Sequence, residues 1–433
     1  MDENTVYFDH ISTGMPSEPQ ASKKEKGSGY GLFFAGLIAG IGGALLIVAV
    51  AYLGFGLQDA LESQSFSQMS ETGVVNEKLL SKLQMLEEVI DEYYYLEMVS
   101  DEELQTGIYR GLMGALGDPY TVYYSAEELS SFMQQTEGTY YGIGAYMTQD
   151  LETKLPMITG VMPGAPAEAS GLRANDLIYE VDGVPILGMS LEQAISLIKG
   201  PENTEVTLTI VREDADDFLD VTLTRARVET PTVTLQMMDN DIAYIEILEF
   251  DSVSVDQFAD ALATAKGSGM KGMILDLRGN PGGSLDAVVD MARMILPEGM
   301  IVYTEDKNGY RKEYTCDGKR QLQVPLVVLV DGNSASAAEI MAGAIKDYGL
   351  GTMVGTTTFG KGIVQQIVPF RDGSAVKITI SAYYTPNGNN IHGTGIEPDI
   401  VCEFDGAAYY GSEDHPDNQL EKAKEVLMGL MGK

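Results

Sequence analysis

The chain has 433 residues, long enough for two or three domains, each with its own core. Lys and Arg number 28 against 64 Asp and Glu, a formal net charge of −36, which repels phosphate backbones and excludes nucleic acid as a partner. The two cysteines, Cys316 and Cys402, and three histidines, His10, His392 and His415, lack metal-ligand spacing, so no metal is expected and at most one optional disulfide.

Residues 1–29 are polar, and Tyr30 to Leu57 then runs without a charge. A bilayer-crossing helix needs about 20 such residues, and no convincing cleavage site closes the run, so an uncleaved single-pass anchor is predicted. Lys23, Lys24 and Lys26 precede it and Asp59 and Glu62 follow, which puts residues 1–29 in the cytoplasm and the rest outside. Gly36 and Gly40 form a small-x-x-x-small pair that leaves room for a homodimer of anchors.

Residues 58–75 read as a polar linker, and residues 76–137 as a helical region. Leu79, Leu80, Leu83, Leu86 and Ile90 recur at helical spacing. Ser100 with Glu103 and Ser125 with Glu128 are capping boxes opening two further helices, separated by Gly117 and an Asp118-Pro119 turn. A helical packing unit accounts for this stretch.

Residues 138–228 change to short β-runs broken by Gly and Pro, with one helix from Leu191 to Lys199. The order YGIGAYM, ITGVMPGAPAEASGLRANDLIYEVDGVPI, SLEQAISLIKG and VTLTIVR resembles a PDZ domain. A glycine-rich turn beside a strand edge lets a peptide add as an extra strand with its carboxylate in a nest of N–H groups. The resemblance puts peptide binding at Tyr141, Gly142, Ile143, Gly144 and Ala145.

Residues 229–405 alternate apolar strand-like runs, IAYIEIL, MKGMILDL and PLVVLV, with helical segments from Ser254 to Lys266 and Asp286 to Leu296. The alternation predicts an α/β domain with a largely parallel buried sheet, and residues 406–433 read as a C-terminal tail and helix. Two Gly-rich turns follow strands: RGNPGGS (Arg278–Ser284) and DGNSASAAEI (Asp331–Ile340). Neither is a phosphate loop. Gly282 and Gly283 can expose backbone N–H groups to an oxyanion, although a tight strand-to-helix turn explains them as well.

A serine at a strand–turn–helix elbow gains from the helix N-terminus and from small neighbours. Ser336, between Ala335 and Ala337, fits that position, with Ser334 as rival nucleophile or cap. Its base is either His392 or Lys361, the latter flanked by Gly360 and Gly362 with Gln365 four residues on. A lysine base must be neutral, its pKa brought from about 10.4 toward 7. The nearest acids in sequence, Asp347 and Asp372, are well separated from Lys361, so burial without an acidic partner is expected to do this; a surface hairpin lysine is the plain alternative.

With GALGDPYTVYYSAEEL, GTYYGIGAYM, LDLRGNPGGSLDAVVDMA, SASAAEIMAGAIKDY, GTTTFGKGIVQ and YYTPNGNNIHGTGIEPDI in that order, the chain resembles the C-terminal processing peptidases, serine endopeptidases with a PDZ domain and a core related to ClpP and crotonase folds. The resemblance implies Ser336 as nucleophile, Lys361 as general base, Gln365 as the amide that orients it, and an oxyanion hole from Ala337 with Gly282 or Gly283. Ala338 stands where the family pattern more often has serine, and His392 falls in a structural loop. Arg173 is a candidate for coupling the PDZ domain to the protease. The implied protein is anchored in a bacterial cell membrane, needs no cofactor, and cuts polypeptides recognised by a free C-terminus. A catalytically decayed PDZ scaffold or chaperone and an acyl-CoA enzyme are the competing readings; intact Ser336, Lys361 and Gln365 oppose the first, and the extracytoplasmic location opposes the second.

Overall fold

A computed structural model describes residues 73–432 apart from 216 and 413. The expected cytoplasmic segment, the anchor with its Gly36–Gly40 pair, and the linker up to residue 72 lie outside the described residues. Among the described residues no helix is long and apolar enough to cross a membrane. The chain divides into two compact units at Gln105/Thr106.

Of the first unit, residues 73–105 are described. Asn76 caps α1 (Glu77–Tyr93) by accepting from the Leu79 N–H at 3.0 Å. The helical spacing is real, yet α1 buries no residue, and Leu80, Leu86 and Val89 are exposed. The Ser100–Glu103 box opens α2 (Asp101–Gly114), within which the boundary between the units falls.

In the second unit, Gly117 (φ 71°) and the Asp118-Pro119 turn lead to β1 (Val122–Tyr124) and α3 (Ala126–Glu137), capped by the Ser125–Glu128 box. Sequence pattern treats 76–137 as a helical unit; in the structure β1 pairs antiparallel with residues 375–377 of the protease core. Three residues are too short to show a period, and the strand is defined by a partner far along the chain.

The next layer comprises β2 (Thr139–Gly142), β3 (Ala145–Gln149), β4 (Pro156–Val161), α4 (Pro166–Ala169), β5 (Leu177–Val181), β6 (Val184–Pro185), α5 (Leu191–Ile198), β7 (Glu205–Val211), β8 (Leu219–Thr224) and β9 (Ala226–Glu229). Its antiparallel sheet runs β3-β4-β5-β7-β8 with β6 on β5, and β2 pairs β9. Ile143, Ile158, Ile178, Leu208 and Ile210 form its core. Strand β3 is the edge of that sheet.

The core domain follows with β10 (Val233–Met238), β11 (Ile242–Ile247), α6 (Ser252–Gly267), β12 (Gly272–Asp276), α7 (Leu285–Ala292), β13 (Glu298–Asp306), β14 (Arg311–Asp317), β15 (Leu326–Val330), α8 (Ala337–Asp347), β16 (Gly351–Gly355), β17 (Ile363–Pro369), β18 (Ala375–Tyr384), β19 (Ile400–Val401), α9 (Gly406–Gly411) and α10 (Asn418–Met431). One sheet runs β10-β11-β12-β15-β16-β19, parallel from β11 onward. Residues of α6, α7 and α8 cover one face and those of α10 the other, so β12 and β15 are buried throughout. Each fully buried Val, Leu or Ile there stabilises the fold by roughly 1.5–3 kcal/mol. A second, antiparallel sheet runs β1-β18-β13-β14, with β17 on β18. Cys316 and Cys402 are both free thiols, so the optional disulfide is not made.

Candidate active site

Because β12 and β15 are neighbouring parallel strands, the two Gly-rich turns leave the sheet at the same carboxyl edge, where sites of such sheets collect. Polar side chains stitch the turns together. The Asp331 carboxylate accepts from the N–H groups of Gly279 (2.9 Å), Asn333 (3.0 Å) and Ser334 (3.0 Å). Ser334 is fully buried, and its Oγ donates to the Leu277 carbonyl at 2.7 Å, which ties it into the turn. The Ala335 N–H donates to the Asn280 carbonyl at 2.9 Å.

Ser336 follows with φ 53° and ψ −108°, a conformation that L-residues rarely adopt and that costs about 1–3 kcal/mol. Two groups, one local and one distant, hold it there: the Glu339 carboxylate accepts the Ser336 N–H at 2.8 Å, and the Tyr383 hydroxyl donates to the Ser336 carbonyl at 3.0 Å. Ala337 opens α8, in the turn whose N–H groups have no acceptor within the helix.

Glu339 is fully buried and organises the site. The oxygen that takes the Ser336 N–H also takes the Lys361 N–H at 2.8 Å, while its other oxygen accepts from Thr358 Oγ1 (2.6 Å) and the Gly360 N–H (2.7 Å). Thr358 Oγ1 itself accepts from the Ile396 N–H at 2.7 Å, so its one proton goes to Glu339. Four donors call for an ionised carboxylate, although burial holds its pKa above the ordinary range. One carboxylate thus ties the serine elbow to the loop carrying Lys361.

Lys361 is 4% exposed, with Nζ 4.4 Å from the centre of the Tyr120 ring. Burial pulls its pKa down to about 8, while Asp118 and then Glu339 pull the other way. Sequence reading expected no acidic neighbour; both acids reach the lysine only through the fold. Gln365 is fully buried at a β-bulge in β17, its Nε2 donating to Thr379 Oγ1 at 3.3 Å and its Oε1 without a hydrogen-bond partner among the described residues. A second buried lysine, Lys377 on β18, lies 3.2 Å from the Tyr124 hydroxyl. Among the described residues no group of His, Cys, Asp and Glu could hold a metal.

Residues 241–402 match the model of peptidase family S41, residues 157–212 a PDZ domain, and residues 40–128 the N-terminal domain of the activating protease CtpB. A carboxyl-terminal-processing protease of Synechocystis sp. is 35% identical over 343 residues, 78% of this chain and 80% of that one. The chain belongs to the C-terminal processing peptidase family. The carboxy-terminal processing protease CtpA of Bacillus subtilis is 34% identical over 319 residues, 73% of this chain and 67% of that one. A solved photosystem II D1 C-terminal processing protease is 30% identical with a TM-score of 0.45, covering 76% of this chain and 94% of that one.

As a member of this family the protein is a serine peptidase with a PDZ domain, built to handle polypeptides. Beside edge strand β3, a cavity of about 190 Å³ is lined by Gly142, Ile143, Gly144 and Ala145, with Ile198 and Lys199 from the end of α5. Tyr141 does not line it; its carbonyl accepts from the Gly200 N–H. Arg173 is exposed and pairs with Asp214 at 3.3 Å on the surface. His392 is exposed in a loop packed against Gly362.

The Gly282 N–H, expected in the oxyanion hole, donates to Asn280 Oδ1 at 2.8 Å, so the turn closes on itself. Gly283 (φ 143°) is required for close approach: a Cβ there would lie 2.2 Å from the Phe250 carbonyl oxygen. Sequence reading also missed Glu339, Tyr383, Asp118, Tyr120 and Thr379. Glu339 had a signal, the Ser-x-x-Glu spacing of a capping box before an apolar run. The others come from remote segments and had none beyond the DPYT motif itself.

Proposed function

We propose that this peptidase is a membrane-anchored endopeptidase of a bacterial cell, with its catalytic domain outside the cytoplasm, cutting through a Ser336–Lys361 dyad and an acyl-enzyme. The observation that carries the dyad is the single Glu339 oxygen that receives the backbone N–H groups of both Ser336 and Lys361. Burial of Lys361, with its pKa at about 8, supports the role of base. Ser336 Oγ attacks the scissile carbonyl and loses its proton to Lys361. The tetrahedral oxyanion forms beside the Ala337 N–H at the start of α8, with the glycine turn supplying a second donor once the Gly282 N–H or its neighbour is released from the closed turn. Collapse expels the amine, protonated by Lys361, and water hydrolyses the ester. Gln365 positions the lysine.

The PDZ cavity beside β3 supports capture of a substrate C-terminus as an added strand. The uncharged run 30–57 with lysines ahead of it supports the anchor and its orientation. The parallel βα units of the core support a ClpP- or crotonase-like type.

Incubating an unstructured polypeptide with wild type, Ser336→Ala and Lys361→Ala tests the dyad, with cleavage expected from wild type alone; cleavage surviving both substitutions would sink it. Equal cutting of free and amidated C-termini would count against tail recognition. Digestion of the catalytic domain by protease added to intact spheroplasts checks the orientation.

A further inference from the structure

Gln365 presents an unusual accounting of hydrogen bonds. Its amide is fully buried, its Nε2 meets Thr379 Oγ1 at 3.3 Å, and its Oε1 is an acceptor without a partner among the described residues. A buried amide oxygen left so is costly to the fold, which marks it as a group held ready for a donor.

What sets the amide's direction lies in the segment ahead of β1. Asp118 Oδ2 accepts from Thr379 Oγ1 at 2.6 Å and from Thr121 Oγ1 at 2.7 Å, and Oδ1 accepts from the Tyr120 N–H at 2.9 Å. Burial opposes the charge on Asp118, yet the hydrogen bonds from Thr379, Thr121 and Tyr120 outweigh it and hold its pKa below the usual carboxylate range. An ionised carboxylate only accepts, so the single Thr379 proton points at Asp118. Thr379 Oγ1 can then only accept from Gln365, which turns the amide nitrogen toward β18 and the carbonyl oxygen away from it.

We propose that Asp118, acting through Thr379, fixes the Gln365 amide with its oxygen presented to Lys361, making Asp118 and Thr379 positioning residues of the peptidase. The proposal rests on the reading of Lys361 as base. It gives the N-terminal DPYT segment a part in catalysis: the segment also places Tyr120 against Lys361 Nζ. Lys361 faces Asp118 and Tyr120 from that segment, Glu339 from α8 and Lys377 from β18, and His392 faces Asp118 from its loop.

The test measures kcat and KM against pH for the full-length chain in detergent, on an unstructured polypeptide, for wild type, Thr379→Val, Thr379→Ser and Asp118→Asn, with Ser336→Ala and Lys361→Ala as controls. Thr379→Val is expected to lower kcat roughly 10- to 100-fold, the size of one lost charge-linked hydrogen bond, with KM and the pH midpoint unchanged. Thr379→Ser, which keeps the hydroxyl, is expected to restore kcat to within about threefold. Asp118→Asn is expected to lower kcat and also to move the acid limb to lower pH, because the removed charge was raising the lysine's pKa. Wild-type kcat in Thr379→Val, a Thr379→Ser as slow as the valine variant, or an unmoved limb in Asp118→Asn overturns the relay. Cleavage by Ser336→Ala or Lys361→Ala overturns the dyad beneath it, an outcome separate from the others.

Discussion

The loop carrying Lys361 and the middle of β18, which carries Lys377, each bury a lysine almost completely, and in each case burial is the main force lowering the pKa, to about 8 and about 7. Their surroundings share Asp118 and an aromatic ring but differ in the remaining charge. Lys361 feels two acids, Asp118 and then Glu339, and its Nζ lies over the Tyr120 ring. Lys377 feels Asp118 and, against it, the charge of Lys361, with Nζ 5.5 Å from the Tyr124 ring centre and 5.8 Å from that of Phe132. A depressed pKa alone does not single out a base, since the lower of the two belongs to the lysine without the serine elbow. The carboxylate shared between Ser336 and Lys361 is what supports the proposal of Lys361 as the base.

Substituting each lysine by methionine breaks the pair most directly. Lys361→Met is expected to lower kcat by about 10²–10⁴-fold, the contribution of a general base, and Lys377→Met to leave it within a few-fold, both read from initial rates on an unstructured polypeptide. Comparable losses would erase the contrast.

Glu339→Gln comes next. The amide nitrogen would face one of the donor pairs now meeting a carboxylate, Ser336 with Lys361 or Thr358 with Gly360, leaving buried N–H groups unsatisfied at roughly 1–3 kcal/mol each. A lower Tm and a kcat reduced by about 10²-fold are expected; an unchanged kcat would remove Glu339 from the site.

The pH profile sharpens the contrast further. The proposed base role requires a neutral Lys361, so kcat/KM is expected to rise with pH through about 8, and the Lys377→Met profile to keep that limb. A limb centred near 7 that disappears in Lys377→Met would reverse the roles.

The smallest effect concerns stability. The folded pKa of Lys377, about 7, lies below the unfolded value, so the folded state binds fewer protons and burial of this lysine opposes folding wherever the unfolded lysine is charged. That opposition is full below the folded pKa and fades as pH rises toward about 10.4. Lys377→Met is therefore expected to melt above wild type at pH 7, with the gap closing by pH 10; a gap that widens with pH would contradict the sign.

Much of the local structure was legible from spacing. Both Ser-x-x-Glu boxes ahead of α2 and α3 form, the apolar runs LVVLV and GMILD are buried strands, and Ser336 stands at the start of a helix after one of them. What escaped was set by partners distant in the chain: β1 against residues 375–377, Thr379 against Asp118, and Tyr383 against the Ser336 carbonyl. The Gly282 N–H escaped for a different reason, since the neighbouring Asn280 side chain can close the turn or leave it open, and sequence pattern does not choose between them.

By itself the sequence determined the family, the PDZ and peptidase segments, and the residue types at the elbow and the lysine loop, because these depend on local spacing and on motif order. Only the tertiary structure decided how Ser336 is held in a strained conformation, which acids reach Lys361, and which way the Gln365 amide faces. Those are matters of distance between segments far apart in the chain, where hydrogen-bond direction and burial are settled by packing rather than by neighbours in sequence.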